Sequence, residues 1–548
     1  MYRLFLLFLL STAATAQNQF NFSHVYGNSM VLQSEPHNAS IWGWGAVGAD
    51  TTVTVMDNNN VARLIEATTV DSEGRWRVSL PAQPASFTPV SIVAVQNGVS
   101  LALEDVLFGD VYVCSGQSNM AFSVATPNND RDAEAKIVKA YANDPGASFA
   151  GTYVSADQAI ADSINYPNLR FLVVGNKKVA PVPIQDFYPS PGNTDSNLPL
   201  AHPWQIPSPD TIGVGMDVMG GNGAGELSAV CYYYGLELLV SQKKPIGLLH
   251  SSYGGSSVED WISAEVLGDG TTGPCIGPIV HGMGTPTNQW NAQIRPLLNT
   301  TIKGAIWYQG ESNAGIDELY SCRFEQMTKL WRSQWFVGTG GATDPNFPMG
   351  IVQIGPMMNN PPENSTFEIR WGQTGGYGYV PNARWPNNFM ATAFDLANPP
   401  NASCISGCIH IFNKQAVGHR LAVAARYHIY QESIVYSGPR IVSAAAGAGN
   451  ILLVTFDSIG LEGKGLTLRG VSGFEVTVDG VNWVETTNLT VESANTVVIT
   501  LDGTIEAAKV LQLRYANSDI YSTFYNNEPA VFNGEGLPTA PTLISISK

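Results

Sequence analysis

The segment Gly109-Asp-Val-Tyr-Val-Cys-Ser-Gly-Gln-Ser-Asn-Met120 decides how the chain is read. Asp110 to Cys114 is a short β-branched and aromatic run without polar alternation, the pattern of a strand buried on both faces. A polar, glycine-containing turn, Gly116-Gln117-Ser118, follows at once. A serine just past a strand can present its hydroxyl while nearby backbone N–H groups point at an oxyanion. Met120 stands where a Gly-x-Ser-x-Gly elbow would end in glycine, so the segment is not that motif. Alone, it reads more readily as a polar turn.

Outward from this strand the same grammar repeats. Leu169-Arg-Phe-Leu-Val-Val, Pro245-Ile-Gly-Leu-Leu-His and Lys303-Gly-Ala-Ile-Trp-Tyr are strand-like, whereas Leu227 to Val240 and Gln415 to Tyr430 have helical spacing. Alternation of this kind predicts an α/β fold, a parallel sheet with helices on its faces. In such sheets ligands gather at the carboxyl ends of the strands. The flanks differ. Ser40-Ile-Trp-Gly-Trp-Gly, Thr51-Thr-Val-Thr-Val-Met and Arg75-Trp-Arg-Val-Ser-Leu on one side are short strands broken by turn residues. Asn450-Ile-Leu-Leu-Val-Thr-Phe, Gly473-Phe-Glu-Val-Thr-Val and Thr496-Val-Val-Ile-Thr-Leu on the other read the same way. The expected organisation is a signal peptide over 1–16, a β-rich domain over 17–108, a catalytic domain over 109–438 and a second β-rich domain over 439–548.

Composition agrees with that outline. The 548 residues include 54 Gly and 33 Pro, which suit a chain rich in turns. Only 13% of residues are charged, and the formal net charge is −17. That balance repels nucleic-acid backbones and acidic membranes, so neither is an expected partner. The start, Met-Tyr-Arg, then Leu4 to Leu10 and Ala14-Thr-Ala16, has the form of a signal peptide cleaved after Ala16. The apolar run is too short to cross a bilayer of roughly 30 Å, and the C-terminus carries no retention or lipid-anchor signal. No membrane anchor is expected. Sequons at Asn21, Asn38, Asn299, Asn364, Asn401 and Asn488 favour the secretory route as glycosylation sites. Cys114, Cys231, Cys275, Cys322, Cys404 and Cys408 allow up to three disulfides in an oxidising compartment. Cys404-x3-Cys408-x-His410 has a metal-like spacing but lacks a fourth ligand, so a disulfide is the preferred reading and no metal or other cofactor is expected.

The other strand ends also carry chemistry. After Leu248-Leu-His comes Ser251-Ser-Tyr-Gly254-Gly255-Ser-Ser-Val-Glu-Asp-Trp, whose paired glycines allow backbone to approach a ligand closely. After Ile306-Trp-Tyr comes Gln309-Gly-Glu311-Ser312-Asn313, where Asn313 can donate to an oxyanion and Ser312 rivals Ser118 as nucleophile. His410 sits between Ile409 and Ile411, the setting of a packed core histidine more often than of a catalyst. His202, His250 and His281 compete with it as the base a serine needs. Glu259, Asp260 and Glu311 raise a glycosidase reading, weakened because adjacent Glu259 and Asp260 point different ways and Glu311 has no evident partner.

Taken together, Gly109–Met120, Ser252–Trp261, Trp307–Asn313 and Ile409-His-Ile-Phe-Asn-Lys-Gln-Ala-Val-Gly-His-Arg-Leu421 resemble the four blocks of the Ser-Gly-Asn-His hydrolases. The resemblance is specifically to the sialate O-acetylesterase family, and Met30-Val-Leu-Gln with Ile41-Trp-Gly-Trp-Gly is similar to its N-terminal β region. It implies a flavodoxin-like core flanked by β-sandwich-type regions. It implies Ser118 as nucleophile and His410 as base, with an oxyanion hole of the Ser118 and Gly255 N–H groups and the Asn313 side chain. Asp395, in Thr392-Ala-Phe-Asp-Leu, is the acidic candidate to orient His410, and Gln117, Gln309 and Glu311 are candidate substrate contacts. The chain departs from the family pattern at Tyr253, Ser256, Cys408 and Ile411, and Cys408 replaces an acid that many relatives carry. A Ser–His dyad is therefore the alternative to a triad.

The implied activity is removal of O-acetyl groups, at the 9-position, from sialic acids by a secreted or lysosomal esterase. An esterase for acetylated xylan or another polysaccharide, and a secreted glycan-binding protein without chemistry, are the alternatives.

Overall fold

The computed structural model describes residues 19–125, 155–175, 179–187, 200–214, 226–357, 365–398, 409–462, 464–517 and 528–547. The long strand β1 (Val99–Gly116) organises it. Its first half pairs antiparallel with Ser86–Gln96, and Leu107 to Gly109 pair parallel with Val31–Gln33. From Asp110 it lies between β3 (Ile246–Ser252) and β4 (Gly304–Tyr308), parallel to both. Exposure along β1 changes accordingly. Exposed positions recur between Val99 and Glu104, and every residue from Val106 to Gly116 is buried, as expected where helices cover both faces.

With β2 (Leu169–Val173), β5 (Met349–Gln353) and β6 (Asn388–Thr392), the parallel part of the sheet runs β2-β3-β1-β4-β5-β6. His202–Gln205 adds an antiparallel edge beside β2. The sheet is packed by α2 (Ala229–Gln242), α3 (Asp317–Gly338) and α4 (Lys414–His428), while α1 (Ser118–Ala121) is the single turn following β1. The two helices read from spacing occur where expected, shifted by no more than two residues at their ends. The 22-residue α3 and the strands β5 and β6 are additional to the sequence reading.

The border expected at 108/109 falls inside β1, and one hydrophobic core runs from Trp42 and Trp76 through Val111 to Trp307 and Trp331. Eight of the strands between Ile441 and Ser547 form a separate sheet with its own core around Phe456, Phe474, Leu513 and Tyr515. Phe394, just past β6, inserts into that second core. Among the described residues no helix is long and apolar enough to cross a membrane.

Disulfides Cys114–Cys231 and Cys275–Cys322 tie β1 to α2 and a loop to α3. Cys404 and Cys408 lie outside the described residues. Cys275–Cys322 closes a loop with a sequence separation of 47, for which chain entropy gives a contribution of about 4 kcal/mol. Replacing both with Ser should lower the unfolding free energy by up to that value, seen as a lower urea midpoint, with an unchanged fold at 25 °C by circular dichroism.

Candidate functional site

Gly116 ends β1 with φ +143°, and a Cβ there would stand 2.1 Å from the Tyr308 carbonyl oxygen. Only glycine lets the ends of β1 and β4 approach this closely. The contact is fixed by Gln117 N–H donating to Tyr308 O at 2.9 Å and Tyr253 N–H donating to Gly116 O at 3.0 Å. Ser118 then opens α1, half-buried above the sheet's carboxyl edge.

His410 arrives from the loop before α4. Its Nε2 lies 2.8 Å from Ser118 Oγ across 292 residues of sequence. Asn398 holds the turn that carries it, donating from Nδ2 to His410 O and accepting from Phe412 N–H, both at 2.8 Å. The Phe122 ring stacks on the imidazole with centroids 4.5 Å apart and planes 27° apart. The isoleucine-flanked histidine is thus packed and, at the same time, hydrogen-bonded to the serine.

The glycine pair after β3 borders the serine. A Cβ on Gly254 would meet Ser118 Cβ at 3.7 Å, and Gly255 has φ +74° with Met283 against the position its Cβ would take. Asn313 is buried and held in one orientation. Its Oδ1 accepts from Val258 N–H at 2.9 Å and Gln309 Nε2 at 2.7 Å, and its Nδ2 donates to Glu259 Oε2 at 2.9 Å. Glu259 is in turn paired with the buried guanidinium of Arg323. An amide nitrogen carries two N–H groups, so Asn313 retains one beyond the Glu259 bond.

Gln117, Gln309 and Glu311 are buried and knit the motifs together. Gln117 Oε1 accepts from Gly310 and Ser312 N–H at 3.3 Å each, and Gln309 Nε2 also donates to Ser256 O. Glu311 Oε1 accepts from Asn119 Nδ2 at 2.5 Å, and burial pushes its carboxyl above the usual range. Asn119 Oδ1 accepts from Lys414 Nζ. Lys414, Asn119, Phe122 and Arg323 were not singled out by the sequence reading. Lys414 and Asn119 lie within the quoted blocks, whereas nothing in the sequence marks Arg323.

The rival groups have other partners. His250 is buried in the sheet, with Nδ1 accepting from Ser228 N–H and Nε2 at 2.8 Å from Ser252 Oγ. Burial lowers it to about 4. His202 faces Glu226 at 3.4 Å, and His281 is exposed. Ser312 occupies a short 3-10 turn. Asp260 accepts from Ser257 N–H at 3.1 Å and is pushed up to about 7, chiefly by burial. Asp395 is buried after β6, with its two oxygens accepting from Arg420 at 2.7 and 2.8 Å. Among the described residues no cluster of three or more His, Cys, Asp or Glu could hold a metal. Of the sequons, Asn38 and Asn488 are exposed, Asn21 and Asn299 are half-buried, and Asn364 and Asn401 lie outside the described residues.

Residues 223–374 match the family model described as carbohydrate esterase, sialic acid-specific acetylesterase. The chain is 33% identical to human sialate O-acetylesterase over 431 residues, covering 77% of this chain and 73% of the human one. It is 32% identical to the mouse sialate O-acetylesterase, with 82% of each chain covered. A crystal structure of a carbohydrate acetylesterase from Xanthomonas citri matches with TM-score 0.71 and 26% identity over 96% of this chain and 99% of that one.

Two outcomes test the packing around the site. Asp395→Ala leaves the Arg420 guanidinium, itself mostly buried, without its carboxylate and should cost about 3 kcal/mol. The double change Asp395→Leu with Arg420→Met should recover most of that loss in urea unfolding. For His250, the folded site refuses a proton down to about pH 4, whereas the unfolded imidazole takes one near ~6.5. Stability is therefore lost as pH falls from about 6.5 to 4, by about 3 kcal/mol from this residue. In His250→Gln the fall in urea midpoint between pH 7 and pH 4.5 should be shallower than in the wild type.

Proposed function

Because the chain belongs to the sialate O-acetylesterase family, we propose that it hydrolyses O-acetyl esters of sialic acids, at the 9-position, with Ser118 as nucleophile and His410 as base. The observation that carries the reading is the 2.8 Å contact between His410 Nε2 and Ser118 Oγ. The protein is a carboxylic ester hydrolase of the family's kind. The strand order supports a flavodoxin-like Ser-Gly-Asn-His core: β3-β1-β4-β5-β6 has the 2-1-3-4-5 pattern, with β2 added beyond β3. In that pattern the chain reverses its direction of winding at β1, which puts Ser118 where doubly wound folds bind ligands.

The reaction follows from these positions. His410 Nε2 takes the proton as Ser118 Oγ attacks the acetyl carbonyl carbon. The carbonyl oxygen becomes an oxyanion, stabilised by the backbone N–H groups of Ser118 and Gly255 and by the second N–H of Asn313. Each such donor contributes roughly 3 kcal/mol to the transition state when it is fixed beforehand. The bonds donated by Val258 and Gln309 and the one donated to Glu259 provide that fixation for Asn313. As the tetrahedral intermediate collapses, the sugar oxygen leaves with the proton from His410. Water, deprotonated by His410, then attacks the acetyl-enzyme and releases acetate and free Ser118. Asp395, whose carboxylate is engaged with Arg420, is not assigned a step.

The two disulfides and the exposed sequons at Asn38 and Asn488 support a place in the secretory pathway, secreted or lysosomal.

Acetate release from 9-O-acetylated sialic acid, measured beside acetylated xylan with wild type and Ser118→Ala, tests this reading. The wild type should release acetate from the sialoside, and Ser118→Ala should lose at least about 1,000-fold in turnover while keeping its unfolding midpoint. Release from xylan alone would move the substrate to a polysaccharide. Undiminished turnover in the variant would remove Ser118 from the mechanism.

A further inference from the structure

We propose that Lys414 is a positioning residue for the Ser118–His410 pair, acting through the Asn119 amide and the Phe122 ring; the proposal rests on the esterase reading above. Lys414 opens α4 and is buried, with its Nζ donating to Asn119 Oδ1. Asn119 directly follows Ser118 and is itself buried. Its Nδ2 donates to Glu311 Oε1 at 2.5 Å and to Ile409 O at 3.0 Å. One side-chain amide therefore links the nucleophile's turn, the residue before His410, the loop after β4 and the start of α4. Because the ammonium has only donors, it takes the amide oxygen and forces the amide nitrogen toward Ile409 and Glu311.

A second connection runs through aromatic rings. Phe122 stacks on His410, and Lys414 Nζ is 5.6 Å from the Phe122 centroid and 5.2 Å from that of Tyr308. The groups facing the ammonium are Glu311 beyond Asn119, Tyr308 at the end of β4 and, by way of the Phe122 ring, His410. The cation and the imidazole thus both lie close to one ring.

Stability does not explain this lysine. Burial opposes its charge, lowering the ammonium to about 7, and the N-terminal turn of a helix repels a cation. Its carboxylate counterpart, Glu311, is one amide away rather than in contact, so the pair offsets little of the desolvation cost. A methionine of similar length would fill the space without that cost, and Asn119 Oδ1 would be the acceptor left without its donor. What it would not do is orient Asn119 or place positive charge close to the ring on which His410 rests.

The test is Lys414→Met and, separately, Glu311→Gln, assayed across pH with 4-nitrophenyl acetate and 9-O-acetylated sialic acid. Lys414→Met should shift the unfolding midpoint little, the ammonium's relieved desolvation offsetting the donor that Asn119 loses, lose about 100-fold in kcat through misplacement of the pair, and leave KM within about two-fold. Its acid limb in kcat/KM should move to higher pH, because a cation opposing the imidazolium is gone. Glu311→Gln removes the opposing anion and should move that limb to lower pH. Wild-type kcat with an unmoved acid limb in Lys414→Met overturns the proposal. So does a kcat loss accompanied by a lowered midpoint and an unmoved limb, the mark of a purely structural residue. If Lys414→Met does not fold, an unmoved limb in Glu311→Gln overturns it. Ser118→Ala assayed alongside separates this failure from failure of the esterase reading, since only the latter leaves Ser118→Ala active.

Discussion

The site depends on how closely the ends of β1 and β4 approach one another. Gly116 brings its backbone within a distance of the Tyr308 carbonyl that no side chain would allow. Gln117 then bonds back to Tyr308, and its side chain takes the N–H groups of Gly310 and Ser312. Tyr253 from the end of β3 bonds to Gly116. Three loops with little regular structure are thereby referenced to one rigid edge, which is how loop residues acquire the precision that a reacting pair needs. A methyl group at position 116 would separate β1 from β4 and disturb the serine, the glycine pair and the asparagine together.

The parts of this arrangement legible in sequence are those that repeat locally. Continuous apolar runs ended by glycine gave the central strands, and 3.6-residue spacing gave α2 and α4. The continuity of β1 was not legible. Gly109 looks like a break between domains, but it sits in a buried strand against the Pro245 carbonyl, where a Cβ would stand 2.1 Å away. Side-chain direction was also hidden. Gln117, Gln309 and Glu311 adjoin the reacting residues in sequence, and most of their hydrogen bonds run to other loops. Spacing fixes neither the rotamer nor the partner of a side chain in a loop. Arg323 shows the limit most clearly: it sits in mid-helix 64 residues from Glu259, and only the fold brings them together.

His410 illustrates a different kind of ambiguity. From sequence, the flanking isoleucines favour a packed histidine over a catalytic one. In the structure the distinction dissolves. Stacking on Phe122 and the Asn398 bonds hold the loop in place, and the imidazole nitrogen meets Ser118. Stacking on Phe122 and the bond to Ser118 limit the ring's rotation, so the base loses little conformational freedom when substrate arrives.

The chain is sparing with charge, at 13% of residues, yet it buries several charged groups around this edge of the sheet. Glu259 with Arg323, Asp395 with Arg420 and Lys414 near Glu311 are all largely removed from water. Apolar replacements of buried pairs are often neutral or stabilising, so folding alone does not select for them. Two of the three have a visible structural consequence for the reacting groups. Glu259, held by Arg323, fixes the amide of Asn313, and Lys414 and Glu311 fix that of Asn119. In both cases a charge orients a neutral amide, and the amide meets the loop that carries the chemistry. A charge in direct contact with the serine or histidine would titrate with it and compete for its proton. One amide further away, it sets geometry and field while leaving the proton of Ser118 to His410.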